Sequence, residues 1–138
     1  MKRTLGILFI VFISLVLIAG CTEEKPPGEE LKIGVVASMT GSASTTGKDI
    51  WQSAELAADE INADGGVYVA DLGKKVPIRL VQGDDESTRE GGQKAVSRMI
   101  TQDNVDILVG GFSSAVVSAH QQIVAEHKVP YIITGAST

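Results

Sequence analysis

Apolar residues in this chain fall into two kinds of run. Four short blocks are apolar at successive positions and rich in β-branched residues: "LKIGVVAS" (31–38), "VPIRLVQGD" (76–84), "VDILVGG" (105–111) and "VPYIITG" (129–135). Runs of this length and type suit strands buried on both faces. Between them the period lengthens. Residues 45–63 carry Ile50, Ala54, Ala57 and Ile61 at spacings of four, three and four, with Trp51, Leu56 and Ala58 beside them. That makes one apolar face of a helix, and Gly65 and Gly66 supply its usual C-terminal stop. Residues 84–100, "DDESTREGGQKAVSRMI", predict a second helix with Ala95, Val96, Met99 and Ile100 inward. Ser87 and Glu90 have the capping-box spacing, while Gly91 and Gly92 each weaken the helix by about 1 kcal/mol relative to alanine. Residues 114–127 predict a third helix with Val116, Ala119, Ile123 and Val124 inward, and 67–75 read as a surface loop or short hairpin arm.

The resulting order is β-α-β-α-β-α-β. Doubly buried strands alternating with amphipathic helices define an α/β fold: a parallel sheet covered on both sides and linked by right-handed crossovers.

The first twenty residues read differently. Lys2 and Arg3 precede an almost unbroken apolar run over 5–18, followed by "LIAGC" ending at Cys21. This is the layout of a secretory signal. The run is short for a membrane span, which needs about 20 apolar residues. Small residues before a cysteine are similar to a bacterial or archaeal lipobox, in which that cysteine becomes the lipidated first residue. Residues 1–20 are therefore expected to be a lipoprotein signal peptide, with Cys21 the lipidation site. Cys21 is the only cysteine, so neither an internal disulfide nor a cysteine-based metal cluster can form. A lone thiol in an exported protein makes sense when acylation consumes it. Residues 21–30 contain "TEEKPPGEE", charged and proline-bearing, which reads as a flexible tether. Residues 31–138 are left as the folding unit, enough for one small domain. The chain stops just after its fourth strand, which suggests a fragment.

Removing Lys2 and Arg3 leaves ten basic against seventeen acidic side chains, a formal charge of −7. With no basic patch and few aromatics, the surface argues against nucleic acid as a partner.

In an open parallel sheet, ligands bind at the carboxyl ends of the strands, near a reversal of strand order. The turns there read "SMTGSASTTGKD", "GDDEST", "GGFSSA" and "GAST". Three of the four are small, hydroxylic and nearly uncharged. Ser113 and Ser114 stand at the start of the third helix, where free N–H groups and the peptide dipoles favour negative charge. Gly110 and Gly111 allow close approach of the backbone. This mouth suits a small carboxylate; equally, one of the serines is a plain N-cap worth about 1 kcal/mol.

Sharper motifs fail. "GSASTTGK" (41–48) has one residue too many for a phosphate loop, and Asp49 replaces the hydroxyl that would hold magnesium. "GFSSA" lacks the second glycine of a nucleophile elbow. His120 and His127, seven apart on one helix, read as solvated. Asp84, Asp85 and Glu86 read as a solvated acidic turn at a helix start rather than a cation or acid–base site. No cofactor, metal site or catalytic set is indicated.

The lipobox, the tether and the ordered phrases "KIGVVASMTGSASTTGKD", "AADEINADGGV", "DDEST", "ILVGGFSSA" and "PYIITGAST" together resemble one family. It is the substrate-binding proteins of branched-chain amino acid ABC transporters, of the type I periplasmic binding protein fold, whose pattern extracellular ligand-binding receptor regions share. The resemblance implies a two-lobed protein closing like a hinge on an amino acid, with residues 31–138 as part of its first lobe. It implies that Ser114, next to Ser113, binds the ligand carboxylate. It implies that the carbonyl of Ala136 accepts from the ligand ammonium and that Thr138 contributes its backbone and hydroxyl. Thr46 falls where relatives often carry an aromatic against the ligand side chain, and Gly135 where some have proline. The implied partners are an amino acid or related small amide or acid, an ABC permease, and a membrane reached through the lipid anchor. The implied location is the periplasm or the outer face of the cytoplasmic membrane. An exported α/β hydrolase using Ser113 or Ser114, and the ligand-binding region of a membrane sensor, are the other classes the residues allow.

Overall fold

A computed structural model describes residues 30–137. The elements are β1 (Leu31–Ala37), α1 (Ser44–Ala63), β2 (Val67–Val69), a single 3-10 turn (Ala70–Leu72) and β3 (Lys74–Val76). Then follow β4 (Ile78–Asp84), α2 (Arg89–Thr101), β5 (Ile107–Gly110), α3 (Ser114–His127) and β6 (Tyr131–Ile133). The main sheet has the order β4-β1-β5-β6, and each neighbouring pair is parallel. This is the expected α/β architecture. The expected signal peptide, the tether up to residue 29, Cys21 and Thr138 lie outside the described residues.

Residues 67–76 settle as the hairpin arm, β2 pairing antiparallel with β3. The block read as one strand from 76 onward is thus two strands parted by Pro77, which has no N–H to give a ladder. Val76 pairs with Val67, whereas Ile78 begins the pairing with Leu31. Asn62, near the end of α1, takes over at this junction. Its amide donates to Ile78 O at 2.9 Å and its Oδ1 accepts from Ile78 N at 2.7 Å. A side chain therefore imitates a neighbouring strand along part of edge strand β4 and blunts that edge.

Crossover direction decides which helix covers which face. The β1-to-β4 connection runs one way along the sheet, whereas β4-to-β5 and β5-to-β6 run the other way. Right-handed crossovers then put α1 on one face and α2 with α3 on the opposite face. The buried core lies under α2 and α3: Val36, Val96, Met99, Ile100, Val105, Leu108 and Val124, with Val81, Ile123, Val129 and Tyr131 packed against it. Each large aliphatic side chain withdrawn from water there stabilises the fold by about 1.5–3 kcal/mol.

The stripe expected to face inward on α1 is displaced. Gly47 and Ala58 are its buried residues, whereas Leu56 is 63% and Ile61 41% exposed. The helix turns the 47–58 edge to the sheet and leaves much of its apolar surface outward. The second helix begins at Arg89, later than the sequence suggests. Its N-cap is Thr88, whose hydroxyl accepts from Gly91 N at 2.9 Å, so the capping box from Ser87 to Glu90 does not form.

Candidate functional site

The direction of the crossovers reverses between β1 and β5, so the crevice outside their carboxyl ends is where this topology admits a ligand. The four strand-end turns are joined there in two pairs by hydrogen bonds, the β1 turn to the β4 turn and the β5 turn to the β6 turn. Asp84, at the end of β4, accepts from Met39 N at 2.9 Å, Thr40 N at 3.2 Å, Thr40 Oγ1 at 2.8 Å and Glu86 N at 2.8 Å. Partial burial pushes its pKa up, but these bonds outweigh that and hold it below the usual 3.8. Ser87 Oγ donates to Thr40 O and accepts from Ala43 N, each at 3.0 Å. Asp85 is fully buried and accepts from Ser38 Oγ at 2.5 Å and from Ser87 N at 2.8 Å. The acidic cluster expected to be a solvated turn is therefore a clamp between the β1–α1 and β4–α2 turns. The reason is local supply: four backbone N–H groups and three hydroxyls converge on or beside two adjacent carboxylates.

The α3 mouth is built on β5. Gly110 pairs with Val36 and Ile133, and Gly111 N donates to Val36 O at 2.9 Å. Gly111 has φ +83°, and a Cβ there would lie 2.4 Å from Tyr131 Oη. Only glycine gives both the left-handed turn and that contact. Phe112 follows, 44% exposed, and α3 opens with Ser113 as N-cap. The Ser113 side chain makes no capping hydrogen bond. Ser114 is tied to the turn after β6 instead, its hydroxyl donating to Ser137 O at 2.6 Å and accepting from Ser137 N at 3.1 Å. Gly135 N and Ala136 N both donate to Gly111 O at 3.1 Å. The structure thus brings Ser113, Ser114 and Ala136 to one place.

Thr46 lies elsewhere on the rim. It lines a groove of about 390 Å³ with Val35, Asp49, Ile50, Val109 and Thr134. Val35 and Val109 alternate with Val36 and Leu108 along their strands, so this groove is on the α1 side and the core on the other.

The largest correction concerns His120. It was expected on a solvated helix face and is 0% exposed, packed against Tyr131 with Nε2 3.3 Å from Tyr131 Oη. Burial pushes its pKa below 6.5, with the nearby Asp85 pulling the other way. Neither histidine nitrogen reaches Ser113 or Ser114, so the Ser–His arrangement a hydrolase needs does not form. Tyr131 is raised above its usual 10 by burial and then by Asp85. His127 is exposed, as expected. Among the described residues, no group of three or more His, Cys, Asp and Glu could hold a metal ion. No helix there is long and apolar enough to cross a membrane.

Two contributors escaped sequence reasoning: Phe112, an exposed aromatic at the mouth, and Ser137, partner of Ser114. Phe112 carried a signal, being a large apolar residue between glycines and serines. Ser137 carried none.

A parallel sheet with small, amide-rich turns at its strand ends is the architecture of an open α/β lobe. The periplasmic binding protein family matches residues 30–138, and the chain belongs to it. Among relatives, an amino acid binding protein of Pseudomonas aeruginosa is 30% identical over 108 residues, covering 78% of this chain and 27% of that protein. The Leu/Ile/Val-binding protein BraC3 of Rhizobium johnstonii is 31% identical over 100 residues, covering 72% of this chain and 25% of that protein. Among solved structures, the branched-chain amino acid transporter substrate-binding protein LivJ of Streptococcus pneumoniae, in complex with isoleucine, superposes with a TM-score of 0.71. The two are 29% identical, over 79% of this chain and 30% of that one. A solute-binding protein of Rhodopseudomonas palustris, in complex with 3,4-dihydroxy benzoic acid, gives a TM-score of 0.67 at 25% identity, over 80% of this chain and 28% of that one. The chain therefore spans about a quarter to a third of the length of these proteins.

Proposed function

We propose that the chain supplies the ligand-gripping end of the first lobe of an extracytoplasmic solute-binding lipoprotein, which carries an amino acid or related small acid to an ABC permease. The observation that carries this reading is the meeting of the α3 mouth with the turn after β6, through Ser114 and Ser137. An arriving carboxylate would accept the hydrogen bond that Ser114 now donates to Ser137 O and would sit at the positive end of α3. Ser113 flanks that position, Ala136 offers its carbonyl to an ammonium, and Thr138 would add a hydroxyl. Thr46 would face the ligand side chain from the α1 rim. That relatives were solved with isoleucine and with a dihydroxybenzoic acid supports a ligand with a carboxylate and leaves the rest of its chemistry open.

The same reading assigns Cys21 as the acylated residue that holds the lobe to a membrane surface and makes the chain a binding module with no catalytic step. It also makes this chain half of a cleft. Without a facing lobe the ligand's charges stay in water and each contact weakens. Titration calorimetry of the chain with leucine, isoleucine and valine is expected to show weak binding or none; sub-micromolar affinity would overturn the half-cleft reading. Labelled fatty acid should enter the exported chain and be lost in Cys21→Ser; equal labelling of the two would remove the anchor.

A further inference from the structure

Two buried polar side chains approach the same helical glycine, Gly92. Asp85 and His120 are both 0% exposed. Each keeps one polar atom without a hydrogen-bond partner, Asp85 Oδ2 and His120 Nδ1. Their other atoms are engaged, Asp85 Oδ1 by Ser38 and Ser87, His120 Nε2 by Tyr131. The residue between them is Gly92 of α2. A Cβ on Gly92 would lie 3.0 Å from His120 Nδ1, 3.7 Å from Asp85 Cβ and 2.7 Å from Val116 Cγ1. A glycine inside a helix costs about 1 kcal/mol relative to alanine, and here it lets His120, Asp85 and Val116 close on the backbone of α2. A buried polar atom left unpaired costs about 1–3 kcal/mol, so two orphans this close to one glycine call for a shared partner. An ionised carboxylate only accepts. With its proton on Nε2, the neutral imidazole accepts at Nδ1. One molecule with two donors satisfies both, and water is that molecule.

We propose that a buried water beside Gly92 donates one hydrogen to Asp85 Oδ2 and the other to His120 Nδ1, fixing His120 as the neutral Nε2–H form that donates to Tyr131 Oη. The result is one polar chain, Ser38–Asp85–water–His120–Tyr131. It joins the end of β1, the β4–α2 turn, α3 and β6. Asp85 and Tyr131 are the titratable groups facing His120; α2 presents Gly92 and α3 presents Val116. Tyr131 Oη also rests on Gly111, immediately before Phe112. The chain therefore holds α3 at a set distance from β6, and His120 is a positioning residue for the Ser114–Ser137 pair. That last role rests on the binding reading; the water itself does not.

A crystal structure of the full chain should show an ordered water within hydrogen-bond distance of both orphan atoms. Nitrogen NMR of His120 should show an unprotonated Nδ1 and a protonated Nε2. A protonated Nδ1 in direct contact with Asp85 Oδ2, or an empty site, overturns the proposal. The positioning role is read without ligand. His120→Leu should speed hydrogen exchange at the Ser137 amide at least about tenfold while the core amides of α2 hold theirs. His120→Gln, whose side-chain amide falls near the place of Nε2 and can donate to Tyr131 Oη, should stay within about twofold of the parent. Equal acceleration in both variants, or uniform acceleration across the domain, removes the role. Failure to bind any amino acid would leave these readouts untouched, so the two proposals fail separately.

Discussion

One sheet is finished differently on its two faces. Under α2 and α3, Val36, Leu108, Met99 and Val96 are all 0% exposed and share one dry core. Under α1 the burial is partial: a groove of about 390 Å³ runs beside Val35 and Val109, and Ile132 on the edge strand is 60% exposed. The α1 side of the strands is the more apolar one, with Leu31, Ile33, Ile78, Leu80, Ile107 and Ile132 beside Val35 and Val109, so composition does not explain the contrast. Connectivity does. Two crossovers run one way and lay two helices on the same face, while a single crossover runs the other way and gives its face one helix. That helix covers β1 and β4, leaves Ile107 and Val109 of β5 half-buried and leaves Ile132 of β6 exposed. Burial follows the order of the strands as much as the hydrophobicity of their residues.

The sharpest way to break this comparison is one deletion on each face. Leu108→Ala removes a fully buried side chain from a site that cannot collapse, and should cost about 3 kcal/mol. Ile132→Ala, on the bare side, should cost under about 1 kcal/mol. Chemical denaturation of the two variants measures both. Similar costs would mean that the α1-side face is packed in solution.

Gly92→Ala comes next, because it places a methyl where the full face has no room. Alanine would gain about 1 kcal/mol in helix propensity. Its Cβ would stand 2.7 Å from Val116 Cγ1 and 3.0 Å from His120 Nδ1, and overpacking of that kind costs about 1–3 kcal/mol. A net loss of about 1 kcal/mol is expected in the same denaturation assay; a net gain would show that α2 and α3 are loosely packed.

These variants also mark how far the residues disclosed the fold. The α/β alternation was legible because four doubly apolar runs and three helical stripes have no other simple arrangement, and α3 was placed at its observed bounds. The split at Pro77 was legible in principle from the missing N–H. What failed was side-chain fate. His120 lies four residues after Val116 and four before Val124, so its stripe announced burial, yet residue type argued for solvent. Asp84 and Asp85 looked like helix-start charges because their partners, Ser38, Met39 and Thr40, are over forty residues away in sequence. The outward turn of Leu56 and Ile61 could not be read either, since an apolar stripe names a face but not which helix will share it. Of the mouth, Ser113 and Ser114 were marked by their place before a helix, whereas Ser137 became a partner only through the fold.

Acid should act on the full face before it acts on the rim. His120 is neutral in the folded chain with its pKa below 6.5, so the unfolded chain binds the extra proton first as pH falls. Its stabilising contribution is complete above about pH 6.5 and declines below it. The Asp84 carboxyl, held below 3.8 by its hydrogen bonds, keeps its contribution until pH falls past that value. Stability measured from pH 8 to pH 3 should therefore decline in two stages, and His120→Asn should flatten the upper one. An unchanged upper stage in that variant would mean His120 is accessible to protons in the folded state.

The smallest expected effect tests the bare side alone. Leu56 and Ile132 are exposed by 63% and 60%, so replacing either by lysine removes little buried area and adds a charge that water can solvate. Stability should change by no more than about 0.5 kcal/mol in each case. Exposed apolar surface is what drives unspecific association of otherwise soluble domains, so the double variant should sediment as a smaller species, or remain soluble to higher concentration, than the parent. The same lysine at Val36 would be expected to unfold the chain, because a charge there has neither water nor a partner. The contrast lies in what each face has against it: α2 and α3 on one side, and over β6 on the other, solvent. If Ile132→Lys also unfolded the chain, that surface would have to be covered in solution, and the asymmetry between the two faces would not hold.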